Sequence, residues 1–407
     1  MKCSNQRVKV NPLLILLGLN VGALVLGITE FFAPISGDTS IYAYYGRQIT
    51  HGLILYRDLW DFKSPGIYYF FALLFKIFPN SLLTLRISEI VVNLVASYLI
   101  YKISIHYFSS GIALTGSAIY LFAANLGGYL NQDGPYPETY VPLLGLIGLY
   151  FWLKYTEKQK AKPDLFVAGL CAALLVVLKQ ISVSFLLGCL FCILCTAPLF
   201  DWKKALAILV FAAGGLTAVL PWLIYFRLAN VWADFWDAVF VYPRLYAGTT
   251  SFSSAVQNCI SLISSSMQVY GVLWMLTIAG MVFWGISLKS SQNAFAGNFR
   301  ILLPWIGFGL LVIAAPGRFY ERYLMEILAP VIFLSEFAIS RLFSAPIPEL
   351  RAFGVVLVSL FILAVVVQQL PRSLHMIGHR ILSSDPSRSE AMAVDPLFKG
   401  SDISVFA

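Results

Sequence analysis

The feature that most constrains this chain is a run of about twenty apolar residues, repeated along nearly all of its 407 residues. A helix needs about 20 such residues to cross the hydrocarbon core of a bilayer. Charge is correspondingly scarce: 12% of residues are charged and 59% are hydrophobic, against roughly 25% charged in a soluble domain. The pattern predicts an all-α polytopic membrane protein. A transmembrane barrel would show short alternating strands instead. The net charge of +8 sits mainly in short loops between apolar runs. It therefore points to topology and to anionic lipid or phosphate, not to nucleic acid.

Positive charge orients the spans. Lys2, Arg7 and Lys9 hold the N-terminus inside, and an uncleaved first helix at 12–33 leads out. An outer first loop, 34–83, follows. Its apolar part, 66–79, has only 14 residues, below the about 17 that a span requires, so a juxtamembrane or re-entrant helix is expected. Helices at 84–105, 110–126, 139–153, 165–178, 181–200 and 205–226 then alternate, placing Lys154, Lys158, Lys160 and Lys162 inside. If 66–79 crossed, that lysine cluster would lie outside. A long outer loop is expected at 227–268, with helices at 269–288, 301–315, 324–343 and 352–370. This makes about eleven transmembrane helices in one domain, 1–370, and an external polar tail, 371–407.

On this topology four polar clusters share the outer side: Asp38 to Lys63, Asp133 to Glu138, the Lys179–Gln180 corner, and Arg318 to Tyr323. Charge at a membrane boundary is costly unless paired or solvated, and its convergence on one face suggests an active site there. Asp38, tethered by Gly37 to a helix end, is either a general base for a hydroxyl or a solvated loop aspartate. Asp58 and Asp61 read as partners of Arg57 and Lys63. Lys63 is a phosphate ligand or a snorkelling lysine, and the same choice applies to Lys179. Arg318 and Arg322, four apart, would share a face if helical, with Glu321 neutralising one of them.

Other features read as structural. Cys189, Cys192 and Cys195 have a metal-like spacing, but they lie in an apolar helix without charged or His neighbours, as core thiols do. His375 and His379 fall in the polar tail without a carboxylate motif. No P-loop, Ser/His/Asp pattern or dinucleotide fingerprint appears, so no metal and no organic cofactor is expected.

Several motifs resemble a known family. Asp38 just after the first helix, Gly52-Leu-Ile-Leu-Tyr56-Arg-Asp58 and Asp61-Phe-Lys63-Ser-Pro65-Gly66 are similar to the first outer loop of the C-type-fold membrane glycosyltransferases. The branch concerned contains the protein O-mannosyltransferases and the lipid A aminoarabinose transferase. Leu85-Arg86, Val177-Leu178-Lys179-Gln180 and Gly317-Arg-Phe-Tyr-Glu-Arg-Tyr323 ahead of Ala329-Pro330 extend the resemblance over about residues 12–335. It implies a polyprenyl-phosphate-linked sugar donor, an acceptor hydroxyl on glycan, lipid or protein, and inverting transfer on the outer face. Asp38 would be the base and Lys63 the donor-phosphate ligand. Lys179, Arg318 and Arg322 are further candidates for that electrostatic work. Asp133 and Glu138 would position sugar or acceptor, and Asp58, Asp61 and Tyr320 complete the substrate-binding candidates. Many relatives carry Asp-Glu at the base position, where this chain has Asp38-Thr39. A polysaccharide polymerase or ligase, in which 227–268 would matter more than Asp38, and a lipid or solute transporter are the alternatives.

Overall fold

A computed structural model of the chain describes residues 37–124, 134–157, 161–195, 202–287 and 294–345, with scattered positions in 14–22 and 347–367. Within them every named element is helical, and the one strand-like contact is an isolated bridge between Leu55 and Leu59. In chain order the helices are α1 Gly37–Thr50, α2 Gly66–Ile77, α3 Leu82–Ser104, α4 Ser110–Ala124, α5 Pro137–Glu157, α6 Lys162–Leu178 and α7 Ser184–Leu194. They continue with α8 Trp202–Leu228, α9 Trp232–Trp236, α10 Tyr242–Gly248, α11 Phe252–Ser287, α12 Ala294–Asn298, α13 Leu302–Ala314 and α14 Met325–Phe343. A π-turn, Asp237–Val241, joins α9 to α10, and a 3₁₀ turn, Glu321–Leu324, leads into α14.

This is a multi-pass membrane architecture. Four of the described helical segments are long and apolar enough to cross a bilayer: Leu82–Ser104, Trp202–Leu228, Phe252–Ser287 and Glu321–Phe343. The segments expected at 12–33 and 371–407 fall largely or wholly outside the described residues. The segment 66–79 forms α2, whose 12 residues span about 18 Å at 1.5 Å each. Its buried side chains Ile67, Tyr68, Phe71, Ala72 and Phe75 lie on one face, and α2 packs along α1.

The core is built around α14. In its spanning window 89% of residues are buried, and a helix buried on every side belongs inside a bundle. It packs against α11, α4, α13 and α5, while α5, α6 and α8 stack in sequence beside it and α13 lies on α7. The expected loop 227–268 is mostly helical instead, because α11 begins at Phe252 and kinks at Tyr270 (φ −116°, ψ 16°). Leu262, Ser266, Tyr270 and Leu273 are its buried residues there, a spacing of three and four that makes one helical face. Ser266 is the one serine on this buried face, while Ser253, Ser254, Ser261 and Ser264 are exposed, so the Ser-rich stretch that reads as loop is the outward side of a helix.

Candidate active site

Asp38 occupies the first turn of α1, where a carboxylate suits the positive end of the helix dipole. Its Oδ2 lies 2.9 Å from Lys63 Nζ. Tyr42, one turn along α1, places its ring 4.9 Å under the same ammonium. Neighbours at i and i+4 on a helix share a face, so α1 grips Lys63 by charge and by an aromatic surface together.

The loop holding Lys63 is braced on several sides. Gln180 Nε2 donates to the Phe62 carbonyl at 2.8 Å, and its Oε1 accepts from Ser64 N–H at 3.0 Å. Ser64 Oγ donates to the Val176 carbonyl at 3.0 Å. Gly66 allows this approach, since a Cβ there would lie 2.5 Å from the Val177 carbonyl oxygen. Tyr56 holds a left-handed backbone (φ 72°), costly for a bulky residue. It donates its hydroxyl to the Lys63 carbonyl at 2.7 Å, with its ring against Phe226 and Phe235.

Of the two other acids in this loop, Asp58 pairs with Arg57 at 2.9 Å. Hydrogen bonds from Arg57 and from Ile54 N–H hold its carboxyl below the usual carboxylate range. Asp61 does not pair with Lys63. It is buried, accepting from Tyr68 O–H and Phe62 N–H, each at 2.6 Å, and those donors leave Lys63 to Asp38. Burial and then Asp61 push the nearby Tyr45 hydroxyl above its ordinary pKa.

From Asp38 the charges continue as a chain. Arg322 Nη2 reaches Asp38 Oδ2 at 3.4 Å, while its Nε reaches Glu138 Oε1 at 3.4 Å. Lys179 Nζ lies 3.2 Å from the same Glu138 oxygen and 3.5 Å from Glu326 Oε1. Ser182 and Ser184 donate to Glu326. The order Lys63, Asp38, Arg322, Glu138, Lys179, Glu326 alternates in sign throughout and balances three cations against three anions. Tyr323 lies 4.1 Å beneath Lys179, and Tyr136 and Tyr320 lie 4.4 and 4.8 Å from the Arg322 guanidinium. Exposure is greatest at the Lys63, Asp38 and Arg322 end, 33% for the Asp38 side chain, and least at the Glu138, Lys179 and Glu326 end, 1% for Glu326. Asp38 and Lys63 thus stand at the exposed end of the chain, and Lys179 with Glu326 at its buried end.

Most candidates from the sequence are therefore brought together, with differences. Glu138 stands in the first turn of α5, buried, rather than in the preceding loop. Arg318 and Arg322 do not share a helical face: Phe319 (φ 51°) between them takes a left-handed backbone, as does Gly317 (φ 64°) just before Arg318, and the 3₁₀ turn starts only at Glu321. Arg318 instead donates to Thr249 Oγ1 at 3.0 Å and stacks 4.5 Å over Tyr246. Asp133 lies outside the described residues. Glu326 was missed, although an acid inside an apolar span is itself a signal of function. Among the described residues no group of three or more His, Cys, Asp or Glu side chains is arranged to hold a metal.

Comparisons with known proteins bear on the fold. Residues 62–225 match the family described as dolichyl-phosphate-mannose-protein mannosyltransferase. The fold is similar to the crystal structure of ArnT from Cupriavidus metallidurans bound to undecaprenyl phosphate, with TM-score 0.59 and 12% identity, covering 93% of this chain and 79% of that one. It is also similar to the Archaeoglobus fulgidus oligosaccharyltransferase in complex with Zn and sulfate, with TM-score 0.54 and 13% identity over 94% of this chain. The chain spans only 57% of the length of that oligosaccharyltransferase. No curated protein matches. The fold is that of the C-type membrane glycosyltransferases, as the motifs led one to expect.

Proposed function

We propose that this chain, which carries the fold of the C-type membrane glycosyltransferases, moves a sugar with inversion from a polyprenyl-phosphate-linked donor to an acceptor hydroxyl. The reaction takes place at the outer face of a cell inner membrane, in the synthesis of an envelope glycan or glycolipid. The observation that carries the reading is the contact of Asp38 with both Lys63 and Arg322 at the exposed end of a buried charge chain.

Without donor, Lys63 and Arg322 neutralise Asp38. An arriving donor phosphate competes for Lys63, because ammonium and phosphate are complementary charges at a membrane boundary. Asp38 is then released to accept a proton. Its carboxylate takes the acceptor hydroxyl proton as the acceptor oxygen bonds to the anomeric carbon. The bond from that carbon to the phosphate oxygen breaks, and its electron pair leaves with the polyprenyl phosphate. Lys63 and Arg322 oppose the charge that develops on the leaving group, where preorganised cations act most strongly. Glu138, Lys179 and Glu326 hold Arg322 in place from below.

The test is transfer in membranes from a panel of radiolabelled polyprenyl-phosphate sugars. Asp38→Asn should lose transfer by about 10²–10⁴-fold with donor binding kept. Lys63→Ala should weaken donor binding and lower kcat/KM by about 10²–10³-fold. Equal transfer by wild type and both variants would remove this loop from the chemistry.

A further inference from the structure

At the opposite end of the bundle from Asp38 lies a cavity of about 1160 Å³, larger than the roughly 300–1,000 Å³ of a usual small-molecule site. Along α5, Glu138 marks the active-site end and Tyr155 the cavity, about 25 Å apart at 1.5 Å per residue. The walls come from α5, α7, α8, α11 and α13, and include Trp152, Phe191, Trp284, Phe308 and Leu311. Phe191 and Leu311 are 46% and 64% exposed, so the cavity opens on the apolar, lipid-facing surface of the bundle.

Its rim is basic. Lys203, Lys204 and Arg300 line it, and among the described residues no Asp or Glu does. Lys204 is 92% buried, at 8% exposure, and its Nζ donates to the Leu194 carbonyl at 3.1 Å. Among the described residues no carboxylate pairs with it. A buried ammonium without a counter-charge is costly. Lys203 and Lys204 also stand in the first turn of α8, where the helix dipole adds positive potential instead of relieving it. A site with apolar walls, a lipid-facing mouth and clustered cations fits a ligand with an acyl tail and an anionic head. Basic pockets between spanning helices bind lipid head groups in this way.

We infer that this cavity binds an anionic phospholipid, with its phosphate held by Lys203, Lys204 and Arg300 and an acyl chain lying against Phe191, Trp284 and Phe308. The site shares no residue with the charge chain, so it stands or falls separately from the transfer reading. On the orientation expected from the sequence, the lipid comes from the cytoplasmic leaflet.

The experiment uses the full chain, purified in a mild detergent. Phosphatidylglycerol, phosphatidylcholine, undecaprenyl phosphate and inorganic phosphate are titrated against it, reading thermal stability and bound lipid by native mass spectrometry. Phosphatidylglycerol should bind at about one per chain and raise Tm, and the other three should bind more weakly. The triple variant Lys203→Gln/Lys204→Gln/Arg300→Gln should bind it roughly hundredfold more weakly. Gly307→Phe tests the tail separately. Gly307 lines the cavity, and a Cβ there meets nothing within 4 Å, so the ring fills the space without disturbing the fold. It should displace the lipid while keeping the Tm of the lipid-free protein. Equal binding of phosphatidylcholine, a stronger response to undecaprenyl phosphate or to inorganic phosphate, or unchanged binding in either variant would overturn the assignment.

Discussion

Replacing Lys179 with Met tests the buried half of the charge chain. Lys179 lies 3.2 Å from Glu138 and 3.5 Å from Glu326, and all three residues are buried. With an effective dielectric constant near 20, each of these contacts is worth about 5 kcal/mol of gross attraction. Removing the lysine also removes its own desolvation penalty, so the net loss is smaller. Breaking one partner of a buried pair typically costs about 3–5 kcal/mol, because a carboxylate is left uncompensated. Here Glu138 keeps Arg322 at 3.4 Å and Glu326 keeps Ser182 and Ser184, so the expected loss is about 3 kcal/mol, at the lower end of that range. Adding Glu326→Gln removes one of the two acids that lost their cation. Lys179→Met/Glu326→Gln should then fall short of wild type by only about 1 kcal/mol. The two variants would differ by about 2 kcal/mol, roughly thirtyfold in the unfolding equilibrium. Equilibrium unfolding of the purified chain in mixed micelles measures this directly. If single and double variants lose the same stability, the uncompensated carboxylate is not what the lysine prevents, and the reasoning fails.

Arg322→Lys keeps the charge, but a single ammonium cannot reproduce a guanidinium that meets Asp38 through Nη2 and Glu138 through Nε. Misplacing the cation should lower transfer by about 10²-fold, and a change below twofold would argue against a bridging role. Gly66→Ala drives a methyl to 2.5 Å from the Val177 carbonyl oxygen and 2.7 Å from Leu178 Cα, both backbone atoms. It should destabilise the fold by about 1–3 kcal/mol and raise KM for the donor by moving the Lys63 loop. Unchanged Tm and unchanged KM together would show that the loop does not need this approach.

Much of the architecture was legible because it rests on local physics. A long apolar run can bury its backbone polar groups in lipid only as a helix, and so the helices at Leu82–Ser104, Trp202–Leu228 and Met325–Phe343 fall close to where hydropathy puts them. α11 was only half legible. Its first part carries serines that signal a loop, yet most of them lie on the exposed side of a helix whose buried face is Leu262, Ser266, Tyr270 and Leu273.

The site divides in the same way. Sequence by itself determined which residue types gather near the ends of the helices: Asp38, Lys63, Glu138, Lys179 and Arg322 all stand out as charges bordering apolar runs, where charge is costly. It did not determine their partners. Asp38 and Arg322 are 284 residues apart, and Ser182 and Glu326 are 144 apart, so no local spacing encodes either contact. Lys63 stands two residues from Asp61 and yet pairs with Asp38, because Tyr68 O–H and Phe62 N–H already occupy the Asp61 carboxylate. Tertiary packing decided this: α1, α5 and the turn before α14 bring their ends together, and in a poorly solvated space each charge settles on the nearest opposite charge left unclaimed.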